Sequence, residues 1–399
     1  MNAESPGQNP FNLRMLLVLS FGHFATDICQ SALPAILPFL KAKLFLSYAM
    51  AGVIMLASNV TSSVIQPLFG YLSDRKEKAI LLPAGCLFAG LGLSLLSIPN
   101  QYEVVLLLVI VSGLGIASYH PEGFKTARSF TGDKMATGLA VFTVGGNLGL
   151  AVGPLVATFI LTVFGLSYLP LMLLFSLIFL LLLAFTWRSV AHSQPATNSG
   201  AIARVRIPRT AYLPVGLIVA TVIMRSWTHF GLMAYLPFYY IDYERGDPLY
   251  AGTLVSVFLV GGAVGTVVGS PVADRWGYKR FLVMSMLLTT VLLPLILVTH
   301  GFMLIVTLGV VGMALISSFT VTMVMAQELL PNNLGVASGL MAGFAIGTGG
   351  IGVTLLGVIA DYFGVPMALK AIMLLPVGGL VLSALVPYPT QQGRERGSP

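Results

Sequence analysis

"SFGHFATDICQSALPAILPFL", residues 20–40, is apolar along nearly its whole length yet carries His23 and Asp27, four residues apart. A helix needs about 20 predominantly apolar residues to cross the hydrocarbon of a bilayer. An ionised carboxylate near the centre costs about 2.5–3.5 kcal/mol on insertion scales. The run starts after a single basic residue, Arg14, continues past 20 residues and shows no A-x-A-like cleavage site, so it reads as a retained helix rather than a signal peptide.

The composition generalises this reading. Of 399 residues, 56% are apolar and only 9% are charged, against about a quarter charged in soluble domains. Apolar blocks separated by polar breaks give twelve spans, expected at 15–40, 47–71, 79–98, 103–124, 136–163, 166–187, 212–240, 250–273, 280–299, 302–327, 335–361 and 366–388. The fold class is therefore an all-α membrane protein, twelve transmembrane helices in two pseudo-symmetric six-helix bundles. The division expected is an N-terminus (1–14), a first bundle (15–187), a basic linker (188–211), a second bundle (212–388) and a tail (389–399). Cys29 and Cys86 both lie in apolar blocks and imply neither a disulfide framework nor a metal site.

Basic residues sort by side. With both termini and the linker placed in the cytoplasm, 16 Lys or Arg fall inside, while Lys41, Lys43, Arg245 and Lys370 fall outside and Arg225 lies within a span. The positive-inside rule then sets the orientation. It also accounts for most of the net charge of +7, so nucleic acid is not an expected partner.

The two halves read as a repeat. "FGYLSDRKEK" (69–78) and "GSPVADRWGYKR" (269–280) place Asp74 and Asp274 200 residues apart. "TGLAVFTVGGNLG" (137–149) is matched by "SGLMAGFAIGTGG" (338–350), and Pro38 by Pro237. A duplicated six-helix unit points to a transporter with its substrate site between the halves. In the loops, Gly70, Asp74 and Arg75, and again Asp274, Arg275 and Gly277, suit a tight connection. Glycine permits close approach, an acid favours a helix N-terminus, and basic residues hold the inner surface.

These loops, the twelve spans and "GGNLGLAVGP" (145–154) resemble the major facilitator superfamily. Within it, "YHPEGFKTAR" (119–128), "VGGNLGLAVGP" (144–154) and "AQELLPNNLGVASGLMAGFAIGTGGIGVTLLGVIAD" (326–361) resemble the fosmidomycin-resistance family of bacterial efflux proteins. The resemblance implies the major facilitator fold and alternating access. It departs at Glu77, where the loop motif usually has glycine, and at Ser270, the first glycine position of the second loop.

Glycines recur every fourth residue at Gly145, Gly149 and Gly153 (followed by Pro154), at Gly261, Gly265 and Gly269, and at Gly339, Gly343 and Gly347. Such stripes let helix backbones approach closely. The resemblance implies that spans two and eleven, and five and eight, face each other between the halves, and it links the glycine–proline segment to antiport. Packing within one half is the alternative.

The ionisable residues inside spans nominate the chemistry. Asp27, His23 and Glu122 are the expected proton-coupling groups, since a proton-linked carrier needs a buried group that gains and loses a proton and a histidine's unperturbed pKa is about 6.5. Gln30, His120, Arg225, His229 and Glu328 are expected to line the substrate cavity. There is no H-E-x-x-H, G-x-S-x-G or G-x-x-x-x-G-K-[ST] signature, so no enzyme activity, cofactor or metal is expected. The reading is a proton-coupled antiporter exporting small drugs, a monomer in the bacterial inner membrane with both termini cytoplasmic. Its partners are the small-molecule substrate, protons and the lipid bilayer. The alternatives are a proton-linked uptake symporter for a small metabolite and a non-transporting receptor or scaffold.

Overall fold

A computed structural model describes residues 11–74, 79–132, 135–192, 211–330, 337, 339–345 and 347–388. Ten helices among them are long and apolar enough to cross a membrane, and two shorter apolar helices make up the twelve. In chain order the spans are Leu13–Leu44, Tyr48–Gly70, Leu81–Ser97, Tyr102–Arg128, Met135–Val163, Leu166–Ala191, Tyr212–Tyr243, Pro248–Trp276, Tyr278–Leu297, Gly301–Leu329, Gly349–Phe363 and Val365–Leu385. Helix is the form in which a lone segment satisfies its own backbone polar groups in lipid. Large apolar side chains point outward in quantity, among them Phe185 (80% exposed), Val267 (74%) and Phe302 (74%), as expected of helices whose solvent is hydrocarbon.

The chain divides into two compact units, residues 1–44 with 60–202, and residues 45–59 with 203–399. The departure from the sequence division is the start of span two. Its first turn is held within the second unit, where Asp361 Oδ1 and Oδ2 accept from the backbone N–H groups of Tyr48 (2.7 Å) and Ala49 (2.9 Å). A carboxylate at a helix N-terminus satisfies donors that have no partner inside the helix. Tyr48 also donates to Asp242 Oδ2 at 2.9 Å. A π-helical turn, Val60–Val64, follows, and beyond it span two belongs to the first unit.

The first unit's core gathers Leu16, Leu19, Cys86, Tyr119, Phe142 and Phe179. Cys29 is equally buried in this unit, its Sγ on the Ala25 carbonyl. Span one is tied to the end of span three by Lys43, whose Nζ donates to the carbonyls of Ser97 (2.6 Å), Ile98 (3.2 Å) and Pro99 (2.8 Å). An ammonium there serves carbonyls that the helix end leaves open. The second unit's core gathers Val215, Ile218, Val222, Leu282, Val321 and Met325.

The repeat extends into backbone geometry. Gly165, before span six, has φ 94° and ψ 167°, and Gly364, before span twelve, has φ 84° and ψ 158°. Positive φ at a sharp reversal favours glycine. The same conformation recurs 199 residues on (364 less 165), the separation of Pro38 and Pro237.

The glycine stripes turn inward within their own units. A Cβ on Gly149 would stand 2.5 Å from Phe24 O, one on Gly153 would stand 2.6 Å from Ile28 O, and Gly145 abuts Ser20, all on span one. Gly261 and Gly265 of span eight lie against Gly309 and Met313 of span ten. Packing within one half, the alternative offered by the spacing, is what these contacts show. Spacing encodes close approach but not the partner. Ahead of the span-eleven helix, Gly339 and Gly343 fall in a π-helical segment, Gly339–Ala345. Close approach to span two is made by Gly350, opposite Leu56, and Gly357, whose Cβ would stand 2.6 Å from Tyr48 O.

Candidate functional site

Helical spacing puts His23 and Asp27 on one face of span one, and their side chains meet, Nε2 to Oδ2, at 3.2 Å. Span four brings His120 to the other carboxylate oxygen, Nε2 to Oδ1, at 2.9 Å. Gln66 of span two lies 3.2 Å from His120 Nδ1, and His23 Nδ1 lies 3.0 Å from the Phe142 carbonyl of span five. A chain Gln66–His120–Asp27–His23–Phe142 O thus crosses four spans of the first unit. His23 and Asp27 are 5% and 4% exposed. Phe142 stacks on the His23 ring, centroids 4.3 Å apart, and Phe124 meets it edge-on at 5.9 Å.

A carbonyl only accepts, so the hydrogen between His23 and Phe142 belongs to His23 Nδ1. In the amide orientation seen here Gln66 donates to His120 Nδ1, so His120 carries its hydrogen on Nε2 and Asp27 Oδ1 accepts it. Between His23 Nε2 and Asp27 Oδ2 neither atom brings a hydrogen of its own unless one further proton is present. With that proton the pair is a hydrogen bond. Without it, a lone pair faces a carboxylate oxygen across 3.2 Å in a low-dielectric wall, and the two repel. The pair therefore has room for one further proton, whose removal would favour separation. The three residues also present ligand-type atoms within 4.8 Å of one another.

The other expected site residues are spread over both units. Glu122 is fully buried on span four, and Gln30 is partly buried on span one. Arg225, on span seven of the second unit, is 6% exposed with its guanidinium 5.3 Å over the Phe319 ring. Among the described residues no carboxylate pairs with it, and its Nη1 has no hydrogen-bond partner. His229, one turn on, packs against Phe230 (5.0 Å) and Phe258 (5.4 Å). Glu328 is elsewhere, accepting from Tyr388 at the end of span ten, a tie between helix ends. Gln66 and the Phe142 carbonyl are site members that sequence reading missed. So is Gly146, where a Cβ would stand 2.5 Å from the His23 ring and 2.6 Å from Asp27 Oδ2. The double glycine at 145–146 is the one signal that pointed to it.

The sequence profile of the Major Facilitator Superfamily matches residues 19–247 and again 221–399. The chain belongs to the major facilitator superfamily. It is 33% identical over 394 residues to an uncharacterized MFS-type transporter of Bacillus subtilis, covering 96% of this chain and 95% of the relative. It is 31% identical over 373 residues to the fosmidomycin resistance protein of Escherichia coli, covering 92% and 91%. The solved structure of the nucleoside transporter NupG superposes with a TM-score of 0.80 at 13% identity, covering 94% of this chain and 100% of that one. At that identity it shows the fold alone. The protein is thus a multi-pass membrane transporter of the major facilitator fold and not an enzyme.

The superfamily's loop motifs are partly visible. Gly70 faces Pro121 of span four, 3.8 Å from where its Cβ would be. Lys125 Nζ donates to Ser73 O at 2.7 Å, a cation on the carbonyl end of span two. Asp74 is helical, and Arg75 lies outside the described residues. In the second loop Tyr278 donates to Asp274 Oδ1 at 3.1 Å, and Arg275 is exposed in the last turn of span eight. Gly277, at φ 91°, ends that span by donating its N–H to Ala273 O.

Proposed function

We propose that this transporter is a proton-coupled antiporter that exports small drugs by alternating access, with His23 and Asp27 as the coupling pair. The observation that carries the reading is the proton count: a buried pair that hydrogen-bonds when it holds one proton and repels when it does not. Proton binding and release then bias two arrangements of the surrounding helices, which is what converts a gradient into directed movement. A proton taken from outside closes the pair, and its release inside frees it for the next cycle. His120 and Gln66 hold the carboxylate in place, and Glu122 is a further buried carboxyl on span four. The likeness to the fosmidomycin resistance protein supports export as the direction. The test is drug movement in everted membrane vesicles. An imposed gradient, acid inside the vesicle, is expected to drive drug inward, and collapsing it with an uncoupler is expected to abolish uptake. Gradient-driven uptake confined to right-side-out vesicles would instead identify an uptake symporter.

The same reading places a monomer in the inner membrane of a bacterium, with both termini and the 188–211 linker cytoplasmic, as the sorting of basic residues and the bacterial relatives support. An alkaline phosphatase reporter fused within the linker is expected to stay inactive, and one fused beside Asp247 is expected to be active. The opposite pattern would reverse the orientation and with it the direction of transport.

A further inference from the structure

We infer that His23, Asp27 and His120 form a binding site for one divalent transition-metal ion of the zinc class, a ligand that the sequence reading did not expect. Two imidazole nitrogens and a carboxylate oxygen are a donor set that holds zinc while keeping a fourth position open. The nitrogens favour Zn2+, Co2+ or Ni2+ over the hard cations Mg2+ and Ca2+. Donor atoms around a tetrahedral zinc stand about 3.3 Å apart, given bonds of about 2.0–2.2 Å. Here His23 Nε2 and Asp27 Oδ2 are 3.2 Å apart, and His120 Nε2 and Asp27 Oδ1 are 2.9 Å apart. The ligand-type atoms of all three residues lie within 4.8 Å of one another. The separation between the two imidazoles is the one that a turn of the His120 side chain closes. His120 is also the most exposed of the three, at 14% against 6% for each of the others, which leaves a side for entry and a position for water.

The surroundings match what a metal asks of its ligands. A metal-binding histidine gives its second ring hydrogen to a carbonyl or carboxylate oxygen, which fixes the tautomer. His23 Nδ1 does so on the Phe142 carbonyl, leaving the Nε2 lone pair directed at Asp27. His120 Nδ1 faces the Gln66 amide at 3.2 Å. An amide exchanges its oxygen and nitrogen by a half-turn. With the oxygen toward Nδ1, Gln66 takes that hydrogen and frees the lone pair of His120 Nε2. Gly146 of span five supplies room, because a Cβ there would stand 2.5 Å from His23 Nε2 and 2.6 Å from Asp27 Oδ2. Any larger residue would fill the space beside both donors. The ligands, Gln66 and Gly146 all come from the first unit.

The test is binding of the metal alone, with no gradient and no drug, so it succeeds or fails independently of the antiport reading. The untagged full chain in lipid nanodiscs is titrated calorimetrically with zinc chloride and with magnesium chloride. Wild type is expected to bind one Zn2+ per chain, to melt at a higher temperature with it, and to show no binding of Mg2+ at the same concentrations. Co2+ in place of zinc is expected to give the visible bands of a nitrogen and oxygen site with no thiolate charge-transfer band, which separates the site from Cys29 and Cys86. His23→Gln, Asp27→Asn and His120→Gln are each expected to lose zinc affinity by about tenfold or more. Gln66→Leu leaves every metal ligand in place and is expected to lose about tenfold through the orientation of His120. His229→Gln, in the other unit, is expected to bind zinc as wild type does. No saturable zinc binding by wild type, equal binding of Mg2+, or a thiolate band with Co2+ would each overturn the inference without recourse to any variant. Unchanged affinity in the ligand variants or in Gln66→Leu would also overturn it, leaving an adventitious ion only.

Discussion

Asp27→Asn is expected to fold, to bind drug and to exchange drug for drug across a liposome membrane, while its pH-gradient-driven transport falls by about 100-fold, or about 2.7 kcal/mol. The amide suits the site in its protonated arrangement. Its oxygen accepts from His120 Nε2, as Asp27 Oδ1 does, and its NH2 donates to His23 Nε2, whose Nδ1 hydrogen remains on Phe142 O. Every member of the chain keeps a partner with no removable proton left. Binding is therefore preserved and coupling is lost. Asp27→Ala, by contrast, strands two imidazole nitrogens in an apolar wall, and should lower thermal stability as well. His23→Gln keeps the carboxylate and is expected to show a milder loss than Asp27→Asn. The measurement is initial-rate uptake into proteoliposomes with and without an imposed gradient. Wild-type rates in Asp27→Asn would remove the pair from the mechanism and pass the role to Glu122.

Gly146→Ala is expected to uncouple transport by about tenfold or more while leaving every ionisable side chain in the chain. The added methyl would lie 2.5 Å from His23 Cε1 and Nε2 and 2.6 Å from Asp27 Oδ2. Ordinary packing between carbon atoms needs about 3.5–4.0 Å, so the pair must give by about an ångström. The imidazole has nowhere to go, because Phe142 stacks on its face and the Phe142 carbonyl holds Nδ1. The bond to Asp27 is what yields. Gly216→Ala is the control, since no atom lies within 4 Å of that Cβ position. It should be neutral, or slightly more stable through better helix propensity. Equal coupling in Gly146→Ala and wild type would mean that the His23–Asp27 contact is not needed for coupling.

Much of this architecture was legible in the residues. Each span had to supply an apolar run long enough for the hydrocarbon, and the helix ends fall within a few residues of where the polar breaks put them, except that the α-helix of span eleven starts at Gly349 rather than near 335. His23 and Asp27 were legible as a pair because helical spacing alone makes them neighbours. His120 was visible as a polar residue inside a span, but its bond to Asp27 bridges 93 residues, and no local pattern records which spans will touch. The glycine stripes show the same limit from the other side. Their period announced close approach, yet Gly145, Gly149 and Gly153 spend it on span one and Gly261 and Gly265 on span ten. Glu328 drew notice as an acid inside an apolar block, and its bond to Tyr388, 60 residues on, had no local signal. The capture of the start of span two by Asp361 was not readable either, because a helix N-terminus advertises its open donors without naming the acid that will fill them.

The burial of Cys29 and Cys86, at 1% and 0% exposure, makes the native chain a ready background for site-directed labelling. Neither thiol is presented to a reagent in solution, and both sit among tightly packed neighbours in one unit. A single cysteine introduced at an exposed position, such as Phe45 or Tyr243, would therefore be the one accessible thiol of the folded protein. Spin labels or fluorophores placed pairwise in this way would report distances during the transport cycle without first stripping the two natural cysteines from the core.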